Sequence, residues 1–280
     1  MMSSLAENGI SITLLQVDGP RRAEILEYID LPVDSPNWPH LVNLETQVAD
    51  VLELTQDPKA REIPKQDFAK KDDGPTQRFR TCIGSILDQV IANESSLNEW
   101  SNSVGDKDFG AGAISASKAA KESLHEYNFK ENLPEGITKL SWTFAGALGG
   151  TSGPLWQAFM SAAAKKLNKK FMENTESNWI AAYEEGLKAV KELSSAQKGQ
   201  RTIVDALEAG MEYVNALDKE NPSPSLADLA KAIRSGALAA KSMKGSKGSG
   251  DGSGDKSAGL PDPGCELVAL VAEAAASASL

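Results

Sequence analysis

The chain has 280 residues, 41% of them hydrophobic, enough for one large or two small domains with a sizeable core. Its formal net charge of −10 opposes nucleic-acid binding, which relies on Lys and Arg neutralising phosphates. Two cysteines, Cys82 and Cys265, make neither a disulfide framework nor a zinc cluster, and no apolar run reaches the roughly 18 residues of a membrane span. A cytoplasmic chain without stable membrane insertion is expected.

In chain order, residues 9–17 alternate as a strand does, with Ile10, Ile12 and Leu14 against Ser11 and Thr13. Its unpaired edges admit a homodimer. A helical stretch over 21–29 runs into Pro32, Pro36 and Pro39; 41–54 is helical, with Leu44, Val48, Val51 and Leu52 on one side; 56–73 is a charged linker. Residues 1–75 thus read as an N-terminal arm and linker. From Pro75 onward the pattern predicts helices at 76–102, 111–128, 134–148, 152–170, 175–194, 201–217, 224–243 and 263–278. Phe79, Cys82, Ile83, Ile86, Leu87 and Val90 mark the apolar face of the first. Eight helices with short connections predict an all-α antiparallel up-and-down barrel over 76–280. The Gly, Ser, Asp and Lys run 244–259 buries too little to order itself and reads as a flexible loop. Lys165, Lys166, Lys169 and Lys170 read as a solvated face, and His125 as a surface residue.

Three segments carry candidate chemistry. Asp106 and Asp108 lie two residues apart on a turn between Gly105 and Gly110, a donor set suited to Mg²⁺, whose shell phosphate oxygens would complete. The run 149–154 directly precedes the apolar stretch 155–159. It therefore places Gly150, Thr151, Ser152 and Gly153 at a helix N-terminus, where backbone N–H groups bind phosphate. Arg201 and Thr202 open another helix; Arg201 either binds a diphosphate oxygen or pairs with a surface acid. The plainer alternatives are that Asp106 and Asp108 serve as turn and cap residues, and that Thr151 and Ser152 only cap their helix.

The blocks Leu97-Asn98-Glu99-Trp100-Ser101-Asn102-Ser103-Val104-Gly105-Asp106-Lys107-Asp108-Phe109-Gly110, Gly149-Gly150-Thr151-Ser152-Gly153-Pro154-Leu155, Gly199-Gln200-Arg201-Thr202-Ile203-Val204-Asp205-Ala206-Leu207 and Asp262-Pro263-Gly264 resemble, in order and spacing, the ATP-binding DhaL-type domain of the dihydroxyacetone kinases. The resemblance implies an eight-helix barrel open at one end to ATP and two Mg²⁺ ions, with an apolar interior that admits lipid. Residues 9–17 and 25–39 resemble the end of that family's upstream substrate domain. The chain departs from the pattern in several places. The first of the family's three metal-binding aspartates falls at Ser101, and a further aspartate falls at Gln200. The nucleotide lid is replaced by the run 245–259. Neither His40 nor His125 matches the histidine that holds dihydroxyacetone.

These departures direct the leading expectation to a terpene-cyclase branch of the family. That reading is a Mg²⁺-dependent lyase ionising a prenyl diphosphate, geranylgeranyl diphosphate by size. Trp142, Phe144, Trp156, Phe159, Trp179, Tyr183 and Tyr213 would line its cavity and stabilise cations, unless they simply fill the core. The alternatives are a dihydroxyacetone-kinase-like ATP-dependent phosphotransferase subunit and a non-catalytic lipid- or nucleotide-binding pseudokinase.

Overall fold

Amphipathic periodicity dominates the chain from Gly74 onward, and the computed structural model turns it into helices. The structure describes residues 66–105, 108–218, 222–243 and 259–278. The chain divides into Glu7–Pro64 and a body of Met1–Ala6 with Lys65–Leu280. The strand expected at 9–17 and the helices at 21–29 and 41–54 lie outside the described residues, as does Asp106.

Among the described residues there are nine α-helices: α1 Gly74–Ala92, α2 Glu94–Ser103, α3 Phe109–Glu122, α4 Leu133–Leu148, α5 Ser152–Ala164, α6 Glu176–Ser194, α7 Ile203–Asn215, α8 Leu226–Ala240 and α9 Pro263–Ala278. No strand occurs among them, and no helix is long and apolar enough to cross a membrane. The contacts between helices close a ring. α1 packs on α3, each helix from α3 to α9 packs on the next, and α9 returns to α1. These are the eight staves of the expected barrel. The ninth helix arises because the single element expected at 76–102 divides at Asn93, which sits at φ −96°, ψ 23°. Its side-chain amide donates to the Gln89 carbonyl at 2.8 Å, competing with the helical ladder. The released piece, α2, packs on α3 and α9.

Consecutive staves run antiparallel, so the starts of α3, α5, α7 and α9 share one end of the barrel with the ends of α4, α6 and α8. The connections 123–132 and 165–175 share the other, with the end of α7 and the start of α8. The helix expected at 152–170 stops at Ala164. Beyond it, Asn174 accepts from the Asn168 N–H at 2.7 Å and donates to the Lys170 and Phe171 carbonyls, and these bonds favour a turn. Lys165, Lys166, Lys169 and Lys170 are all exposed there, and so is His125.

Two buried clusters hold the wall. One gathers Val90, Leu97, Ile114, Phe129, Leu133 and Leu267. The other gathers Val190, Val204, Leu207, Ile233, Ala237 and Val268, and Trp156 packs against both. Burial of a Leu, Ile or Phe side chain contributes about 1.5–3 kcal/mol, so these residues supply most of the driving force. A polar clasp secures the start of the body. Buried Arg80 bonds Asp72 through Nε at 2.6 Å and Nη2 at 3.1 Å, and donates to the carbonyls of Leu124 and Tyr127. Its guanidinium lies 4.8 Å from the Phe129 ring centre.

Candidate functional site

At the end of the barrel that carries 149–151, two glycines turn the chain from α4 into α5. Gly149 and Gly150 have φ of +67° and +57°, a left-handed conformation that side chains resist. Gly153 then lets the first turn of α5 lie on the last turn of α4, since a Cβ there would meet the Ala145 carbonyl oxygen at 2.6 Å. The Gly153 N–H is taken by the Gly149 carbonyl at 3.0 Å. The N–H groups of Gly150, Thr151 and Ser152 have no acceptor among the described residues. Thr151 occupies the N-cap position without a side-chain capping bond, so the purely capping role is not the one adopted. The arrangement leaves three donors and a helix dipole facing outward, an anion-binding geometry.

Asp108 precedes α3 at the same end. Its carbonyl accepts from the Gly112 N–H at 2.8 Å, while its side chain makes no capping bond to the helix. The residue is exposed. Ser101, where the family pattern implies a carboxylate, is 1% exposed on α2. Among the described residues no three His, Cys, Asp or Glu side chains gather as a metal-binding group.

Thr202 caps α7 in a reciprocal box with Asp205: its hydroxyl accepts from Val204 N–H at 3.3 Å and its own N–H donates to Asp205 at 2.8 Å. Arg201 turns inward, only 2% exposed, and its Nη2 donates to the Leu260 carbonyl at 3.2 Å. Among the described residues it makes no ion pair with a surface acid and no hydrogen bond to the glycine run. Burial raises the Asp262 carboxyl above the ordinary range, although the Cys265 N–H and Arg201 oppose the shift. Burial also pushes the Cys265 thiol well up, keeping it a neutral donor to the Thr202 carbonyl at 2.9 Å.

The seven aromatics are not brought into one lining. Phe144 and Trp156 meet at a tilt with centroids 5.5 Å apart, and Phe159 meets Tyr183 edge-on at 5.8 Å. Tyr183 donates to the Leu207 carbonyl at 2.8 Å, and burial with the Glu208 charge holds its hydroxyl protonated. Trp179 instead joins Phe79 and Phe171 at the opposite end, and the Tyr213 hydroxyl there accepts from the Ser225 N–H at 2.8 Å. Trp142 is 57% exposed. It follows α4's outer face with Gly146 rather than its apolar stripe, so apolarity alone misplaced it.

Comparison with known proteins corrects the leading functional expectation. A tomato (Solanum lycopersicum) protein named putative 3,4-dihydroxy-2-butanone kinase is 31% identical over 290 residues, covering 99% of this chain and 47% of its own length. The triokinase/FMN cyclase of Rattus norvegicus is 31% identical, over 96% of this chain and 45% of its own. Dihydroxyacetone kinase 1 of Saccharomyces cerevisiae is 27% identical, over 96% and 46%. The chain spans about half the length of the curated relatives it matches. The crystal structure of the dihydroxyacetone kinase from C. freundii in complex with AMP-PNP and Mg²⁺ aligns at a TM-score of 0.59 and 21% identity, over 90% of this chain and 41% of that one, a likeness of fold. These relatives are named kinases, so the terpene cyclase or lyase reading and the prenyl diphosphate partner are overturned. The aromatics that such a reading needs around one cavity are dispersed between separate clusters and the surface. The DAK2 domain model matches residues 103–277, which take in the Asp108 turn, the glycine run and the buried turn at Arg201; by that match the chain belongs to the DAK2-domain family.

Proposed function

We propose that this chain is the Mg²⁺- and ATP-binding module of a kinase whose acceptor is a small hydroxyketone of the dihydroxyacetone type. The observation that carries the reading is the set of three unpaired amides, Gly150 to Ser152, at the start of α5. Phosphoryl transfer is largely positioning and charge stabilisation, and outward N–H groups at a helix terminus supply both to phosphate oxygens. Asp106 and Asp108 would hold Mg²⁺, which when bound neutralises charge on the nucleotide's phosphates. The donor chemistry fits: Asp108 is an exposed carboxylate directly before α3, whose start lies at the same barrel end as the amides. Residues 1–75 continue the likeness to the relatives upstream of the matched domain and are assigned to their substrate-binding part.

A second reading, nucleotide binding without turnover, is favoured by Ser101, which offers a buried hydroxyl where the family pattern implies a carboxylate. Calorimetric titration with ATP in Mg²⁺ and in EDTA tests the first step, and phosphorylation of dihydroxyacetone separates the two readings. Asp108→Asn should weaken MgATP at least about tenfold, or ~1.4 kcal/mol, and leave metal-free ATP unaffected. Equal affinities with and without Mg²⁺, unchanged in the variant, would remove Asp108 from the site.

A further inference from the structure

Arg201 is the bulkiest fully buried side chain among the described residues, and its backbone is left-handed at φ +58°. Such a conformation in a non-glycine residue persists only where its surroundings over-determine it. They do so here. Asp205 accepts from the Gly199 N–H at 2.5 Å and the Thr202 N–H at 2.8 Å, gripping the turn on both sides of Arg201. The guanidinium then reaches Leu260, while its Nε has no partner among the described residues. Asp205 and Asp262 are both buried in the same cluster, and Asp262 feels the charge of each of the other two.

The same turn is tied to the 259–265 segment a second time, by the Cys265 thiol on the Thr202 carbonyl. Asp262 caps the start of α9 by accepting from the Cys265 N–H at 2.9 Å. From there α9 packs on α2, the helix that runs into the metal-binding turn. We infer that Arg201 is a positioning residue, fastening the chain at Leu260 to the turn that opens α7. Through α9 and α2 it seats the turn after Ser103 at the barrel mouth. This rests on the MgATP reading for its functional consequence, though not for the strap itself.

The test compares wild type, Arg201→Met and Arg201→Lys in the whole chain by hydrogen exchange and by MgATP titration. Arg201→Met should speed exchange in peptides covering 259–265 on the order of tenfold, leave 133–148 unchanged and weaken MgATP several-fold. Lysine, which keeps the charge but not the fork of donors, should restore part of both. Weaker MgATP with unchanged exchange at 259–265 would make Arg201 a phosphate ligand and overturn the proposal, and so would no change in either readout. Should wild type fail to bind MgATP, the kinase reading falls alone, and the exchange comparison still decides the strap. If the methionine variant does not fold, the lysine variant carries the same comparison.

Discussion

Gly153 and Gly146 offer a matched pair of substitutions, because both lie at the α4–α5 corner and only one has a neighbour in the way. A Cβ on Gly153 would lie about 0.8 Å inside ordinary contact with the Ala145 carbonyl oxygen. The atom it meets is backbone, so relief requires α4 and α5 to part. Because the clash is with backbone, the cost falls in the upper half of the about 1–3 kcal/mol that overpacking takes, and alanine's better helix propensity returns about 1 kcal/mol. The net for Gly153→Ala is a loss of about 1–2 kcal/mol. In a body of this size each kcal/mol lowers Tm by about 2–4 °C. Nothing lies within 4 Å of a Cβ at Gly146, which is exposed on α4. Gly146→Ala should therefore gain about 0.5–1 kcal/mol and raise Tm. Scanning calorimetry of the two variants gives the answer. Because the glycine run moves with α5, Gly153→Ala should also weaken MgATP. A Gly153→Ala protein as stable as wild type, or two variants shifting in the same direction, would refute the close-approach argument.

Arg80→Met should cost about 3–5 kcal/mol in urea unfolding, since it leaves Asp72 buried without its cation and strands the Leu124 and Tyr127 carbonyls. A loss under about 1 kcal/mol would show the clasp to be incidental. Asp262 sets a pH dependence of definite sign. Its carboxyl is raised in the folded state, so its contribution to stability is complete below the ordinary pKa near about 3.9 and is lost as pH rises through the folded value. Asp262→Asn keeps an oxygen for the Cys265 N–H and removes this loss. The variant should gain on wild type as pH climbs from 4 towards neutrality, and a difference independent of pH would contradict the burial argument.

Much of this fold was legible because helical periodicity survives packing. The apolar residues at Phe79, Ile83, Leu87 and Val90 identify α1 without any knowledge of its neighbours. The break at Asn93 was not legible, since Leu97 continues the apolar register across it and only the amide's bond to Gln89 marks the kink. Trp142 was misread for a related reason: periodicity says that a helix has a buried face, but a single large apolar residue beside it looks the same in sequence. The glycine run was readable as a helix start, because Gly and Thr before an apolar stretch have few other uses. Arg201 is legible as a candidate residue but its burial is not, because both readings of it, a diphosphate ligand or the partner of a surface acid, leave its charge accessible. The Thr202-x-x-Asp205 box beside it was the available signal, as it marks a turn whose preceding residue has no freedom to swing outward.

The ring of helices also has a history in time. α1 is made first among the staves, yet the helix that covers its open flank is α9, whose Leu267 and Ala269 are wholly buried. During synthesis the flanks of α1 and α8 must wait for residues 263–278 to emerge, with apolar surface unfilled until then. The seam between α9 and α1 is therefore where a half-made or truncated chain would open, and where a chaperone or a second chain would find its first foothold.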